Sequence, residues 1–549
     1  MCAYNAFFGQ PCCGSDALMT DILKNRWHFD GYVTSDCGGI EDFHKTHKTH
    51  PDAESAAADA VLHGTDCECS HDATYRALAE AVERGLITEK DIDVSVKKLF
   101  KIRFRLGMFD PDDRVPYASI PVSVLECDAH KGHALKMARQ SIVLLKNEKN
   151  LLPLNKQQIK KIAVVGPNAD SENVLLANYY GYPTEVTTLL EGVRNKVGSG
   201  IKVVYEKGCN LTDDLVFTPA YNSELFTYDG QQGFKAEYYQ NMKREGTPGL
   251  SRIEKKLDYQ WGDGQEIGNG IITRRMSAQW STVFTPDKTG EICFELHADD
   301  GAELFIDGVQ QTKVSLLYPY YLLQAEKGRK YDITINYRQF ADNAEIRFDM
   351  GTLKKTNARE VAGSVKDADI IIFAGGISAR IEGEEMPVEI EGFKKGDRTS
   401  IALPAVQTEL LKELHATGKP VVFVLMTGSA IGLEWESQHI PAIVNAWYGG
   451  QAGGQAIADV LFGDYNPAGR LPVTFYKSVA DLPDFEDYSM VNRTYRYFTG
   501  TPVYPFGYGL SYTTFQYGSM DATYDDATGN VKVKTTVINT GNQDGDEVV

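Results

Sequence analysis

Three continuous apolar runs in the second half of the chain place the strongest constraint on its fold. The runs are DADIIIFAGG, KPVVFVLMTG and PAIVNAWYGG, and a similar run, KIAVVG, begins at Lys161. Runs without polar alternation are typical of strands that are buried on both faces of a parallel sheet. We therefore predict an α/β domain made of residues 135–224 and 353–480, preceded by a linker at residues 111–134. The stretch ALKMARQSIVLLKN is predicted to be its first helix.

The α/β pattern is interrupted between residues 225 and 352. Stretches such as EICFELHAD, AELFIDG and YDITINYRQ alternate apolar and polar side chains, and Asp-Gly or Lys-Gly turns separate them. Alternation with a period of two indicates strands with one buried face. This segment is predicted to be an antiparallel β-sandwich inserted into the α/β domain. Residues 481–549 are predicted to be a connector followed by further strands.

The first 110 residues alternate short strands with helices, which indicates parallel βα units. We predict a strand at Gly31–Ser35, another within HGTDCE, and helices at residues 15–26, in DAESAAADAVLHG and in TYRALAEAVERGL. Thr88 and Asp91 have the spacing of a capping box, which predicts that a further helix begins there.

The acidic balance argues against one class of partner. Asp and Glu number 75 against 56 Lys and Arg, which gives a formal net charge of -19. A protein that binds phosphate backbones normally shows a basic face, so we expect no nucleic acid as partner. There is no run of about 20 apolar residues that would span a membrane. The nine cysteines lie at uneven spacings that do not predict a zinc site, and the sequence leaves their disulfide pairing open.

A lone carboxylate, Asp36, follows the predicted strand Gly31–Ser35 in the stretch GYVTSDCGGI. In α/β barrels the reactive side chains lie at the carboxyl ends of strands. Gly38 and Gly39 would allow a sharp turn directly after it. From spacing alone, the ordinary alternative of an Asp that caps a helix or forms a turn is favoured over catalysis.

Longer stretches of sequence reverse that preference. MCAYNAFFGQPCCGSDALMTDILKNRWHFDGYVTSDCGG closely resembles the nucleophile region of glycoside hydrolase family 3. Further similar stretches follow in the family's order, namely SIVLLKNEKNLLPL, IAVVGPNAD, YGGQAGGQAIADVLFGDYNPAGRLPVTF and YPFGYGLSYTTF.

The resemblance implies a multidomain fold of α/β and β parts. Residues 1–110 would be the C-terminal part of a TIM-like catalytic barrel, a partial (β/α)8 barrel. The predicted α/β domain would be the family's α/β sandwich domain, and the insert resembles a protective-antigen-type β-sandwich. Residues 481–549 would be a connector and the start of a fibronectin-III-like domain.

The resemblance also implies the chemistry, which is retaining hydrolysis of β-glycosides by two carboxyl groups. Asp36 matches the family's nucleophile. Tyr4, in MCAYN, matches a tyrosine beside it and is expected to donate a hydrogen bond to its carboxylate. No metal or other cofactor is expected, and the partner is an oligosaccharide substrate.

The acid/base residue of this family comes from the second domain, here from GGISARIEGEEMPVEIEGFKKGDRTSIALP. Alignment on the family's Glu-x-Glu-Gly pattern favours Glu384, with Glu382 as the alternative. Asp397 and Arg398 match the family's Asp-Arg pair and are expected to order this loop through a charge pair. Tyr4, Cys37 and Arg398 are the candidate substrate-binding residues.

The position after the nucleophile bears on the sugar. It is often Trp in the family's β-glucosidases and often Cys in its β-xylosidases, and here it is Cys37. A β-xylosidase that releases xylose from non-reducing ends is therefore favoured over a β-glucosidase, with arabinosidase activity left open. The alternative from another class is a carbohydrate-binding protein without catalysis.

Other residues are assigned weaker roles. A metal site at His44, His47 and His50 is not favoured, and a pocket-lining or solvated role is preferred. Asp299 and Asp300 could bind sugar or calcium, but turn formation is the preferred interpretation.

Aligned with the family, the chain begins inside the barrel and stops inside a sandwich domain. We therefore expect a fragment truncated at both ends and inactive by itself. Residues 1–10 lack the basic and apolar regions of a signal peptide. By similarity to exported bacterial enzymes, the parent protein is expected to be periplasmic or secreted.

Overall fold

The structure, a computed structural model, describes residues 1–70 and 73–549. Helices and strands alternate or mix through most of the chain, so the fold is a multidomain one of α/β type with additional β parts. It divides into two compact units, residues 1–125 and residues 126–549. Each unit has hydrophobic clusters of its own.

The first unit is rich in helices. The predicted capping box is confirmed, because the Thr88 hydroxyl accepts from the amide of Asp91 while the Asp91 carboxylate accepts from the amide of Thr88. Gly64 and Gly85 follow two of the helices with positive φ angles of 104° and 70°, as glycine at a helix end commonly does. The helices are Asp16–Arg26, of π type, Asp42–Lys45, Ala53–Leu62, Leu78–Glu83 and Glu89–Arg105, with 3-10 helices at Cys12–Gly14, Thr74–Ala77, Asp112–Arg114 and Val122–Val124.

The predicted strands of the first unit are much shorter than expected. Ser35 pairs with Cys2 and Thr34 pairs with Cys67, each in a single parallel bridge. Three chain segments thus run side by side in parallel, but the strands predicted at Gly31–Ser35 and in HGTDCE do not extend. Directly after Ser35 the chain turns away from the two neighbouring segments, so few ladder hydrogen bonds can form with them. One antiparallel hairpin joins Ala6–Phe7 to Gln10–Pro11.

The second unit contains a six-stranded sheet covered on both faces. Its strand order is Val143–Asn147, Ala442–Asn445, Val421–Met426, Ile370–Gly376, Lys161–Val165 and Lys202–Glu206. All neighbouring pairs are parallel except the first, which is antiparallel. The three apolar runs and KIAVVG therefore form adjacent strands, and two separate clusters of buried side chains cover the two faces. The surrounding helices are Asp128–Ser141, Leu189–Val197, Ala358–Val365, Ala405–Ala416, Glu434–His439 and Gly453–Leu461.

The helix predicted for ALKMARQSIVLLKN is wrong in its second half. The helix ends at Ser141, and Val143–Asn147 is the antiparallel edge strand of the sheet. Val143, Leu144 and Leu145 are fully buried. Their strand gains ladder hydrogen bonds from Ala442–Asn445, a partner about 300 residues away that a local pattern does not reveal.

The inserted segment forms two antiparallel sheets around one core. The first has the order Leu250–Glu254, Phe234–Tyr239, Met276–Phe284, Tyr331–Gln339, Ala302–Ile306 and Val309–Gln310, with Phe226–Tyr228 and Gln231–Gln232 attached. The second has the order Asp258–Trp261, Ala344–Lys355, Gly290–Ala298 and Tyr320–Ala325, with Leu215–Pro219 attached. Aromatic side chains of both sheets, including Trp280 and Phe348, share one buried cluster. The paired strands run from Leu215 to Lys355, somewhat beyond the predicted insert at 225–352.

A buried carboxylate stabilises this core. Glu254 is 5% exposed and accepts hydrogen bonds from the Tyr238 hydroxyl at 2.8 Å, the Trp280 indole at 2.7 Å and the Arg252 Nε at 2.6 Å. Glu254→Gln replaces one acceptor oxygen with an amide that faces donors. We expect it to lower the free energy of unfolding by about 3 kcal/mol, measured as a shift of the urea midpoint. Glu245→Gln, at an exposed position of the same domain, is the control and should leave the midpoint unchanged.

The last part of the chain forms two small sheets, Phe515–Tyr517 with Val537–Asn539 and Asp521–Asp525 with Asn530–Lys534. Short helices precede them at Val479–Asp481 and Thr494–Tyr497. Within the described residues, no helix combines the length and the apolarity that a bilayer crossing requires.

Candidate active site

Asp36 lies on a turn at the carboxyl end of the bridged segment that contains Ser35. Its amide donates to the Cys2 carbonyl at 3.1 Å, and its carbonyl accepts from the Gly39 amide at 3.0 Å. Gly38 has a φ of 79°, which glycine adopts without the strain that a Cβ would cause. The half-buried Asp36 carboxylate accepts from the Cys37 amide at 2.8 Å. The backbone thus holds an accessible carboxylate where parallel α/β units place reactive groups.

Tyr4 lies beside this turn, but with a different partner from the one we predicted. Its hydroxyl donates to the main-chain carbonyl of Cys37 at 2.7 Å. We predicted the Asp36 carboxylate, one residue earlier, as the acceptor. His47 Nε2 contacts the Tyr4 carbonyl at 2.7 Å. Tyr4 therefore braces the backbone of the turn, and it remains 41% exposed.

Cys37 is not a free thiol. It forms a disulfide with Cys69, and the Gly38 amide donates to the Cys69 carbonyl at 2.9 Å. The Cys69 amide in turn donates to the Ser35 hydroxyl at 3.1 Å. A second disulfide joins Cys2 to Cys13. The pairing that the sequence left open thus connects the turn of Asp36 covalently to the next parallel segment.

Removing the disulfide at the turn is expected to weaken the first unit. The bridge spans a sequence separation of 32, and closing a loop of that size typically contributes about 3 kcal/mol. Cys69→Ser should therefore lower the urea midpoint of the chain. Cys67→Ser, a free cysteine two residues away, is the matched control. A Cys69→Ser chain as stable as the control would contradict the expectation.

The loop after the strand Ile370–Gly376 carries the second group of carboxylates. The Ser378 carbonyl accepts from the amides of Ile381 at 3.0 Å and Glu382 at 3.2 Å, which forms a tight turn. Ile381 is fully buried. This turn sends the side chains of Glu382 and Glu384 in different directions.

Glu382 is held by three donors at the carboxyl ends of the neighbouring strands. One oxygen accepts from the Gly428 amide at 2.9 Å and from the Tyr448 hydroxyl, and the other accepts from the Ser429 hydroxyl at 2.7 Å. Burial and the charge of Glu382 raise the pKa of Tyr448, so the phenol stays protonated and donates. Both oxygens of Glu382 are therefore used within the protein.

Glu384 is exposed and has a different environment. Its carboxylate accepts a hydrogen bond from the Tyr179 hydroxyl. The Gly383 amide is directed to the Met386 sulfur at 3.1 Å, and Glu385 has a positive φ of 47°, so the backbone bends sharply around this position. Of the two glutamates proposed from the sequence, Glu384 is the one whose carboxylate is accessible to a ligand.

Arg398 supports the Glu382 cluster, but not through the predicted charge pair. Its Nη1 donates to the Ser429 hydroxyl at 3.0 Å and to the Ala430 carbonyl at 2.7 Å. Its Nε donates to the Ser400 carbonyl at 3.2 Å, and Asp397 beside it is exposed. Burial lowers the pKa of Arg398, and the charge of Glu382 opposes that shift. The arginine therefore orders this region through the 429–430 backbone and Ser429.

Sequence reasoning missed several of these partners. Tyr179, Ser429 and Tyr448 lie far from the glutamates in sequence, and only the folded sheet brings them together. The sequence did offer one signal for Tyr179. It lies in the stretch NYYGYP, where three of the chain's 29 tyrosines fall within four residues.

The weaker candidates take ordinary structural roles. His50 packs against Phe43, and Asp300 accepts from the Phe340 amide at 2.5 Å. Asp299 accepts from the Gln339 amide group at 3.3 Å. Within residues 1–70 and 73–549, no group of three or more His, Cys, Asp or Glu is arranged to hold a metal ion.

Two family models match the chain. Residues 1–102 match the N-terminal domain of glycosyl hydrolase family 3, and residues 142–512 match the C-terminal domain of the same family. The chain belongs to glycosyl hydrolase family 3. The resemblance inferred from the sequence is confirmed, and Asp36 lies in the N-terminal match while Glu382 and Glu384 lie in the C-terminal one.

Curated members of family 3 are similar along the whole chain. A "Xylan 1,4-beta-xylosidase" of Xylanibacter ruminicola is 43% identical, over all of this chain and 64% of its own length. A "Periplasmic beta-glucosidase" of Salmonella typhimurium is 29% identical, over all of this chain and 57% of its own length. The chain thus spans less than two thirds of these relatives.

Solved structures of family 3 have the same fold. A beta-glucosidase from Kluyveromyces marxianus in complex with glucose is 23% identical, with a TM-score of 0.70 over 97% of this chain and 65% of that one. An exo-beta-xylosidase in complex with a xylobiose aziridine activity-based probe is 26% identical. Its TM-score is 0.62, over 94% of this chain and 49% of that one.

Proposed function

We propose that the complete gene product containing this chain is a retaining, exo-acting β-xylosidase that releases xylose from the non-reducing ends of xylo-oligosaccharides. The observation that carries the proposal is the pair of accessible carboxylates, Asp36 on its turn and Glu384 on its loop, within the two matched family 3 domains. Retaining glycosidases need two carboxyl groups and no metal.

The two carboxyl groups would act in two steps. Asp36 attacks the anomeric carbon while Glu384, protonated, gives its proton to the leaving oxygen, which leaves a xylosyl ester on Asp36. Glu384, now ionised, takes a proton from water, which attacks the ester and releases xylose with net retention. The Cys37 amide donates to the Asp36 carboxylate at 2.8 Å and holds that oxygen in place before attack.

The hydrogen bonds of Glu382 favour Glu384 as the acid/base. A general acid must carry a proton and reach the leaving oxygen. Glu382 accepts two hydrogen bonds on Oε1 and one on Oε2, all from protein donors, so both of its oxygens are already engaged within the protein. Glu384 is exposed and accepts a hydrogen bond from the Tyr179 hydroxyl, which a leaving group could displace.

The cystine at Cys37 supports a pentose over a hexose. By the resemblance to the family, the position after the nucleophile is often Trp in β-glucosidases, and here a disulfide of smaller bulk takes that position. The relatives' names point to the same choice, since a xylan β-xylosidase is 43% identical to this chain over the aligned residues and a β-glucosidase is 29% identical. A β-glucosidase remains the second candidate.

Substrate selectivity tests the proposal. The complete gene product is assayed with nitrophenyl β-xyloside, nitrophenyl β-glucoside and xylobiose, and the anomer first released is identified by NMR. We expect the largest kcat/KM with the xyloside and β-xylose as the first product. A preference for the glucoside would favour the second candidate. Binding of xylobiose without turnover would favour a carbohydrate-binding protein.

The finer domain assignments belong to the same proposal. We infer that residues 1–110 are part of a (β/α)8 barrel, that the inserted sandwich is of the protective-antigen type, and that the chain ends in a fibronectin-III-like domain. Export to the periplasm or the medium is also proposed. The two disulfides support it, because such bonds persist in oxidising compartments. Cell fractionation with an antibody to the chain tests the location.

A further inference from the structure

A contact between the inserted sandwich and the loop of Glu384 has no role in the chemistry described above. His297 lies on the sandwich strand Gly290–Ala298, and its Nε2 is 2.8 Å from Nη1 of Arg380. Arg380 is four residues before Glu384. Since a guanidinium only donates, the histidine must accept through an unprotonated Nε2.

The surroundings of His297 keep it a neutral acceptor. Burial, together with the positive charges of Arg380, Arg347 and Lys313, lowers the pKa of His297 to about 3. Glu295, on the same strand, is engaged by Arg347 at 3.4 Å. The imidazole therefore accepts from Arg380 at every pH at which a glycosidase normally works.

The two residues in contact line the walls of two cavities. One, of about 320 Å³, is lined by His297, Arg380 and Met386, and the other, of about 230 Å³, is lined by His297, Arg380 and Lys207. The hydrogen bond therefore lies at the wall of both cavities and joins the sandwich to the loop there.

The loop is thus attached on two sides before it reaches Glu384. Glu382 attaches it to Gly428, Ser429 and Tyr448 in the α/β domain. Arg380 attaches it to the sandwich through His297. Leu317 of the insert and Met386 of the loop also pack against the same core cluster. Glu384 comes two residues after Glu382 and four after Arg380, so the position of its carboxylate depends on both attachments.

We propose that His297 is a positioning residue, through which the inserted sandwich places Glu384 for proton transfer. The inference rests on the proposed function, with Glu384 as the acid/base. It assigns the insert a part in catalysis that requires no contact between His297 and the sugar.

Leaving-group dependence tests the proposal in the complete gene product. His297→Leu retains bulk but removes the acceptor, and should lower kcat for xylobiose about tenfold, since small misplacements of catalytic groups have effects of this size or larger. With dinitrophenyl β-xyloside, whose leaving group needs little protonation, kcat should change by less than about twofold. His297→Gln, whose amide oxygen can reach the position of Nε2, should restore most of the loss. Glu291→Gln, at the exposed far end of the same strand, is the matched control.

Amide hydrogen exchange provides a second test of the positioning role, and this test does not depend on turnover. In the 549-residue chain, His297→Leu should speed exchange in residues 377–398, and His297→Gln should not. If neither exchange nor the leaving-group dependence differs between His297→Leu and the control, the positioning role is wrong. If the unmodified gene product hydrolyses no glycoside but exchange responds as expected, the coupling of sandwich and loop stands and the proposed function fails.

Discussion

Asp36→Asn in the complete gene product should lower kcat for xylobiose by about ten-thousandfold or more. The amide is a poor nucleophile and cannot form the xylosyl ester, and loss of a nucleophile in a group of residues that act together has effects of this order. Initial rates with xylobiose and nitrophenyl β-xyloside measure the loss. Binding of xylobiose, measured by calorimetry, should persist because the change removes no bulk.

The matched control is Asp42→Asn. Asp42 begins the helix Asp42–Lys45, six residues after Asp36, and its carboxylate accepts from the Thr46 hydroxyl at 2.6 Å. Its replacement should leave kcat nearly unchanged. A fluorinated xyloside inactivator, followed by peptide mass spectrometry, should label the peptide that contains Asp36. Label on another carboxylate would show that the nucleophile is misassigned.

Replacing Glu384 with alanine should produce the second largest effect, and one that depends on the leaving group. Loss of a general acid costs about a hundredfold or more with a poor leaving group, so kcat for xylobiose should fall by that amount. With dinitrophenyl β-xyloside the xylosyl ester on Asp36 should still form, because that leaving group needs little protonation. Hydrolysis of the ester, which needs Glu384 as general base, should then limit the rate of turnover. Azide, which needs no general base, should then restore turnover and yield a xylosyl azide.

Glu382→Gln is the comparison that separates the two glutamates. The new amide would face the Gly428 amide, the Ser429 hydroxyl or the Tyr448 hydroxyl, and leave a buried donor without an acceptor. We expect it to lower the free energy of unfolding by about 2 kcal/mol. Activity should fall to a similar extent with both substrates and should not respond to azide. Azide rescue of Glu382→Gln, but not of Glu384→Ala, would exchange the two assignments.

Local features of the fold were predictable where the chain itself supplies the partner. The capping box of Thr88 and Asp91 joins residues three apart, and the apolar runs around Ile371 and Val422 identify buried strands directly. Prediction failed where the partner is distant. SIVLLKN continues a helical stretch, yet it pairs with Ala442–Asn445, and Gly31–Ser35 has the composition of a strand but only bridges to Cys2 and Cys67.

For the candidate site, the sequence by itself determined which residues are its candidates. The order of the stretches around Asp36, Glu382 and Glu384 identified the family. Only the tertiary structure decided the surroundings of each one. It joined Cys37 to Cys69, gave Glu382 three donors and left Glu384 exposed, and brought His297 to Arg380. The reason is physical: a carboxylate's role depends on its hydrogen bonds and its access to solvent, and these come from residues that only folding brings near it.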